Sequence, residues 1–361
     1  MVIDDTNIIK VGVIGTGFGY SVQWPAFVNH PLFEPIAISG QNAKKTKVLG
    51  KKLNAKYITS NWQEIIDNPE VDLVSITTPP HLHKEMAIAA LKANKHVLCE
   101  KPLALSVADA EEMCDVADES GLVAMIDLEF RFLPERLYFT ELVNNGYIGD
   151  LYNVDITVNS SVRINPRHQG YNWWSERKQG GGVLYALGSH YLDFLLHSFG
   201  NINTVSGRTT TNIKKRLSKI DGKMKPVTSD DYFNCILEFQ NEGIATVKIS
   251  TTSGFGRGAR VEAYGSEGVL IIDEHRNLYG GKIGEDDLLK KIDLPTGNFL
   301  EKVDTDHNLV PPFMKLLDIV AMSKKSGRSL NPNFHDGLKI QKVIEAIQNS
   351  NKKKRWISLD L

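Results

Sequence analysis

Val11-Gly12-Val13-Ile14-Gly15-Thr16-Gly17-Phe18-Gly19 is an apolar run that breaks into alternating glycines. A strand buried on both faces reads as such a run. Glycines directly after it permit a tight turn and a close approach of backbone to a pyrophosphate. The helix that follows offers unpaired N–H groups and the positive end of its dipole. In the pattern G-x-G-x-x-G the third glycine position holds Tyr20, with Gly19 one residue early. Gly15, Thr16, Gly17, Phe18 and Gly19 are therefore expected to cradle a dinucleotide.

Further apolar runs follow at Pro35–Ser39, Ala55–Thr59, Val71–Thr77, His96–Glu100 and Leu122–Leu128, with helix-forming stretches between them. Ser106 to Ser120 runs from an N-cap to the C-terminal stop Gly121. Strand–helix alternation of this kind predicts an α/β doubly wound parallel sheet, the Rossmann arrangement, over residues 1–128. Beyond Leu128 the rhythm changes. Leu151–Val162, Tyr232–Phe239, Ile244–Thr251, Val261–Tyr264 and Val269–Ile272 read as strands between turns such as Asn145-Gly146. One long helix is expected over Gly182–Phe199, another over Phe334–Ser350, and a short strand over Trp356–Leu359. Residues 129–361 are thus expected to form a second, α+β domain on a largely antiparallel sheet.

Two domains suit a chain of 361 residues. A formal net charge of −1 argues against nucleic acid or an anionic membrane as the main partner. Lys214-Lys215-Arg216 and Lys352–Arg355 have no interleaved aromatics and read as solvated loops. Three scattered cysteines make neither a disulfide framework nor a metal cluster, and no metal is expected. With no secretory h-region and no membrane-spanning run, a cytoplasmic protein is expected.

An NAD site usually offers Asp or Glu to the ribose about twenty residues past the glycines. Here the stretch is Ser39-Gly40-Gln41-Asn42, followed by Lys44 and Lys45. Absence of a carboxylate removes repulsion against a 2′-phosphate, and an ammonium or hydroxyl binds one. NADP is expected in preference to NAD, with Ser39 and Lys44 as contacts. At the carboxyl ends of later strands, Thr78 and Pro79 should line the crevice, with His83 either capping a helix or touching cofactor. Lys101, between Glu100 and Pro102, stands where a lysine can relay a proton to a substrate oxygen.

Gly15–Gly19, Thr78-Pro79-Pro80-His81-Leu82-His83, Glu100-Lys101-Pro102, Gly180 to His190 and Tyr264-Gly265-Ser266-Glu267-Gly268 occur in an order and spacing that resembles the glucose-fructose oxidoreductase and inositol dehydrogenase family, Gfo/Idh/MocA. The resemblance covers essentially the whole chain. It implies a Rossmann domain joined to an open-faced sheet domain, and hydride transfer between NAD or NADP and a hydroxyl or carbonyl of a sugar, cyclitol or related small molecule. It also implies a homodimer or homotetramer. The family commonly carries D-x-G-x-H on the second-domain helix. Here the histidine is His190, a candidate acid/base, but the aspartate position is Ala186. Ala186 favours the alternative of a non-catalytic nucleotide-sensing protein on the same scaffold, and leaves room for a reductase in which Lys101 alone gives the proton. Asp193 is a second candidate to orient His190. Arg163, Asn172 and Trp174, in a loop with Arg167, His168, Tyr171 and Trp173, are candidate substrate contacts. Rings suit a sugar face, and arginine suits a carboxylate or phosphate.

Overall fold

Six apolar runs in the first part of the chain become six parallel strands. The computed structural model describes residues 8–295 and 307–361. β1 (Ile9–Ile14), β2 (Phe33–Ser39), β3 (Tyr57–Thr59), β4 (Leu73–Ile76), β5 (His96–Glu100) and β6 (Ala124–Asp127) lie in the order β3-β2-β1-β4-β5-β6. Strand order reverses between β1 and β4, and ligands of such sheets bind outside the carboxyl ends of the strands at that point. Every residue of β4 and β6 is buried, as a sheet covered on both faces requires.

The described residues group into two units. The first holds 8–132 and, contrary to the split expected at residue 129, also takes back 307–338. The returning helix Val310–Ser326 inserts Val310, Phe313, Leu316, Leu317 and Val320 into the core built by β1, Trp24, Phe27 and Met125. Phe27 and Phe313 meet edge to face at 5.6 Å between ring centroids.

The second unit holds 133–295 and 339–361. Its sheet has nine strands. β7 (Leu151–Asn159) pairs in parallel with the strand Ile244–Ser250, and every other pairing in the sheet is antiparallel. The expected antiparallel bias holds, within a mixed sheet. Period-2 burial carries the pattern: Phe233, Cys235, Leu237 and Phe239 are buried, while Asn234, Ile236 and Glu238 are exposed. The buried face meets helices Pro134–Asn144 and Ser189–Phe199 through Phe139, Phe194, Phe199 and Phe239. The strands Ile202–Thr210, Leu278–Lys282 and Lys290–Ile292 extend the sheet, and a separate hairpin joins Lys215–Leu217 to Met224–Pro226.

Two expectations need correction. The long helix over Gly182–Phe199 is a π turn at Leu184–Gly188 followed by an α-helix from Ser189. The basic stretch Lys214–Arg216 is not all solvated loop, because Arg216 is 1% exposed and among the largest fully buried side chains.

Candidate functional site

In the first unit the glycines divide the work. Gly15 has φ +135°, and a Cβ there would stand 2.0 Å from Thr77 Oγ1 and 2.8 Å from the Thr77 carbonyl oxygen. A Cβ at Gly19 would meet Thr77 Oγ1 at 2.7 Å and Val13 Cγ1 at 2.8 Å. Gly19 thus supplies the close helix–strand packing that the motif usually assigns one residue later. The chain takes up the shift in a π turn over Gly19–Gln23 before the helix Trp24–Asn29. Gly17 is exposed, and its Cβ would meet nothing within 4 Å. Open space at the middle glycine, beside a turn forced at the first, fits a cradle approached by a pyrophosphate. Thr16 and Phe18 flank it, half-buried.

After β2, the Gly15 N–H donates to the Ser39 carbonyl at 2.8 Å. Ser39 itself is buried, so the accessible groups here are Gln41, Asn42, Lys44 and Lys45. Asn42 caps the next helix, Ala43–Lys52, by accepting from the Lys45 N–H at 2.9 Å. Lys44 is exposed in its first turn and makes no ion pair among the described residues. After β4, Thr77 N donates to the Ile14 carbonyl at 2.8 Å and Thr78 Oγ1 to Met86 Sδ at 3.6 Å, while Pro79 leads into the short turn Pro80–Leu82. His83 is fully buried. Its Nε2 faces the Thr78 carbonyl at 2.9 Å and its Nδ1 the Pro102 carbonyl at 2.9 Å. Both ring nitrogens face backbone carbonyls, one in the loop after β4 and one in the loop after β5, and the neutral ring donates its single N–H to one of them, so neither nitrogen faces a cofactor. Burial opposes the charged ring and pulls its pKa down to about 4, against the two carbonyls that favour it.

Lys101 follows β5, and its N–H donates to Glu100 Oε2 at 3.2 Å. Around it lies a carboxylate group that sequence reasoning missed. Glu100 stands in register with Asp127 on β6. Asp127 Oδ2 accepts from Gln23 Nε2 at 2.9 Å, and Gln23 Oε1 accepts from Ser75 Oγ at 2.5 Å. Glu129, two residues on, is buried as well. Burial, then the charges of Glu100 and Glu129, push Asp127 well above the usual carboxylate range. The Glu100 pKa is itself raised by burial, and the Lys101 charge opposes that rise. Burial and Glu100 raise Glu129 to about 8, again against Lys101. The signal available in the sequence was two acids inside the apolar stretch Met125-Ile126-Asp127-Leu128-Glu129.

In the second unit, His190 is 2% exposed near the start of the α-helix, and its carbonyl accepts from Arg136 Nη1 at 3.4 Å. Because Ala186 lies in the π turn and His190 in the α-helix, they are not one regular turn apart. Asp193, one α-turn beyond His190, is buried with it. Asp230 anchors the entry to this segment: its carbonyl accepts from Val183 N at 3.0 Å and its Oδ2 from Leu184 N at 2.8 Å. Burial raises Asp230 to about 6. Gly182, at φ +119°, has no room for a Cβ, which would come 2.5 Å from Asp230 Oδ1. In the preceding loop Arg163 and Trp174 are brought together, with the guanidinium carbon 3.9 Å from the ring centroid. Asn172 is exposed and spends its Oδ1 on the Trp174 N–H at 3.1 Å.

A family model described as "Oxidoreductase family, NAD-binding Rossmann fold" matches residues 9–128, and its companion, the C-terminal alpha/beta domain, matches 140–359. The chain is 31% identical to an uncharacterised oxidoreductase of Synechocystis over 97% of this chain and 96% of that protein. It is 26% identical to levoglucosan dehydrogenase of Pseudarthrobacter phenanthrenivorans, over 97% and 98%. It is likewise 26% identical to the NADP-dependent scyllo-inositol 2-dehydrogenase of Bacillus subtilis, over 98% and 97%. Among solved structures, an oxidoreductase domain protein of Kribbella flavida superposes with a TM-score of 0.90 at 25% identity, covering 98% of this chain and all of that one. A levoglucosan dehydrogenase complexed with NADH and L-sorbose also gives 0.90, at 24% identity over 98% and 99%. The glycine cradle, the Glu100-Lys101-Pro102 strand end and the second-unit sheet thus carry one identity: the chain belongs to the Gfo/Idh/MocA family of NAD-binding oxidoreductases.

Proposed function

We propose that the chain transfers hydride between a nicotinamide dinucleotide, NADP in preference to NAD, and a hydroxyl or carbonyl of a sugar, cyclitol or related small molecule. The observation that carries this reading is Lys101 at the carboxyl end of β5, in a sheet whose glycine cradle leaves open space at Gly17. The named activities of the relatives, on levoglucosan and scyllo-inositol, support the substrate class. A bound nicotinamide supplies or takes the hydride. The work of this chain is the proton. In reduction the Lys101 ammonium gives a proton to the carbonyl oxygen as it becomes a hydroxyl, and in oxidation the neutral amine takes it back. Glu100, held by Asp127, keeps a carboxylate beside the Lys101 backbone and orients the strand end. His190 is a second proton-transfer group and substrate contact, with Asp193 and not Ala186 as its orienting acid. Arg163 and Trp174 contact substrate from the loop before the triple glycine. The active form is a homodimer or homotetramer in the cytoplasm.

The cofactor preference rests on the absence of an acid after β2 and on exposed Lys44. Calorimetric titration of NADPH and NADH tests it: NADPH should bind at least tenfold tighter, and Lys44→Ala should remove most of that ratio while leaving NADH unchanged. Equal or tighter NADH binding overturns the preference. The oxidoreductase reading itself is tested by following nicotinamide absorbance over a panel of polyols, keto-sugars, sugar acids and sugar phosphates in both directions. Tight dinucleotide binding with no turnover on any of them gives the lead to nucleotide sensing, the reading that Ala186 favours.

A further inference from the structure

Arg163 and Arg216 put two buried cations into one corner of the second unit. Arg216 donates Nη1 to the Gln169 carbonyl at 2.9 Å and Nη2 to the Arg163 carbonyl at 2.7 Å. Its charge is thereby dispersed onto backbone oxygens. Arg163 has no such outlet. It is only 8% exposed, its Nε and Nη2 are buried without a hydrogen-bond partner, and it forms no ion pair among the described residues. Asp231 is near enough to favour both charges, but its carboxylate oxygens already accept from the backbone N–H groups of Asn212 and Ile213, at 2.7 and 2.8 Å. Burial and the Arg216 charge draw the Arg163 pKa down to about 10, which leaves it a cation at neutral pH.

A buried cation whose donors meet no acceptor is costly to keep. The Trp174 ring, 3.9 Å away, compensates one face of the guanidinium by a cation–π contact. It cannot satisfy the in-plane N–H groups. Those lie along the Nε–Nη2 edge, whose paired parallel donors match the two oxygens of a carboxylate or the edge of a phosphate. The surroundings tie this edge to the candidate site. The Trp174 carbonyl oxygen packs 2.3 Å from where a Cβ of Gly181 would stand, and Gly181 leads directly into the segment that Asp230 anchors and that carries His190. Ser229 Oγ also donates to the Trp174 carbonyl, at 2.8 Å. The turn holding Trp174 and the entry to the His190 helix are therefore one packed body.

We propose that the Arg163 guanidinium, stacked on Trp174, is the receptor for an oxyanion carried by the substrate, which makes the substrates acidic carbohydrates, sugar acids or sugar phosphates, in preference to neutral polyols. This inference rests on the oxidoreductase reading above for its use in turnover, though not for binding.

The experiment uses the full chain with saturating NADPH or NADP. Binding and turnover are measured for D-glucuronate, D-gluconate and glucose 6-phosphate against glucose and myo-inositol. At least one oxyanion probe should bind tenfold or more tighter than its neutral counterpart, with added salt narrowing the gap. Arg163→Gln should abolish that preference, and Arg163→Lys should restore part of it. The order of carboxylate and phosphate probes identifies which oxyanion the edge takes, and a preference for either supports the receptor. Equal binding of acidic and neutral probes by the unmodified chain overturns the proposal, and this comparison stands even if the variants do not fold. An oxyanion preference that survives Arg163→Gln in a folded variant overturns it as well. The two readings fail separately. Oxyanion binding without turnover of any probe removes the oxidoreductase reading and keeps the receptor. Turnover of neutral sugars that Arg163→Gln leaves untouched does the reverse.

Discussion

Lys101 sits beside three buried carboxyl groups, and the protons of that group are unequally shared. Asp127 is pushed well above the usual carboxylate range, because it is the most enclosed and faces two acidic neighbours. Glu100 is then free to accept from the Lys101 N–H and to stay closer to the anionic form than its burial alone would allow. The proton at the substrate oxygen falls to Lys101. Lys101→Met should bind NADPH within a factor of about three of the parent and lose roughly 10²–10⁴ in turnover, the usual worth of a positioned acid or base. Fluorescence titration and steady-state rates check the two halves. Turnover within a few-fold of the parent would make Lys101 structural and move the proton to His190. The single-letter motif did point to Lys101, since a lysine directly after a buried strand is an anomaly in any sequence. It did not point to Asp127 or Glu129, because an acid at the end of an apolar strand reads as the start of a loop. Only the pairing of β5 with β6 brings Glu100 and Asp127 into one register.

The turn after β1 shows how much of an element is written in local sequence and how much is not. The glycines announced the turn. The displacement of the third one from residue 20 to 19 is explained only by the π turn that follows it. The first two tasks, forced backbone at Gly15 and open approach at Gly17, separate under mutation. Gly15→Ala places a methyl against Thr77 at φ +135°, so denaturant unfolding should show a loss of about 2 kcal/mol or more. Gly17→Ala meets no protein atom, so stability should stay within about 0.5 kcal/mol while dinucleotide affinity falls at least tenfold. A Gly17→Ala protein that binds NADPH like the parent would detach this turn from the cofactor. Other elements were hidden for the same kind of reason. The strand Ile202–Thr210 gives a weak local signal because Gly207 and the polar Ser206 and Arg208 beside it interrupt its β-branched residues. Gly207 is there because a Cβ would come 2.9 Å from Ile347 Cγ2. Helix Val310–Ser326 opens on Pro311-Pro312, which reads as a break, although proline is well placed in a first helical turn. Its return to the first unit depends on contacts some three hundred residues apart in sequence, such as Phe27 with Phe313, and no local pattern encodes those.

Titration ties these buried groups to the stability of the folded chain, and the signs can be worked out. Glu129 has its pKa raised from 4.5 to about 8 by burial and Glu100, and Asp127 is raised well above its usual value by the same causes. Between pH 4.5 and 8 the unfolded chain releases the Glu129 proton while the folded chain keeps it, so this contribution is full below pH 4.5 and is lost as pH rises through 8. Asp230, raised from 3.8 to about 6 by burial, acts in the same direction over a lower window. His83 acts oppositely. Its pKa falls from 6.5 to about 4 by burial, so the unfolded chain takes a proton first on acidification, and stability is lost as pH drops from 6.5 to 4. Below pH 6.5 the two trends oppose each other. Above it the His83 contribution is complete, and the raised carboxyls Glu129, Asp127 and Glu100 all act in one direction. At about 1.4 kcal/mol per pKa unit, the Glu129 shift between pH 6.5 and 8 is worth on the order of 2 kcal/mol. Thermal unfolding of the protein without cofactor should therefore give a Tm that falls by several degrees from pH 6.5 to 8.5. Glu129→Gln, which keeps the shape and removes the proton to be lost, should flatten that slope and raise Tm at pH 8. A Tm that rises or holds level across this range in the parent chain, or a slope unchanged by Glu129→Gln, would mean that Glu129 is ionised in the folded state and that the Lys101 charge, not burial, governs it.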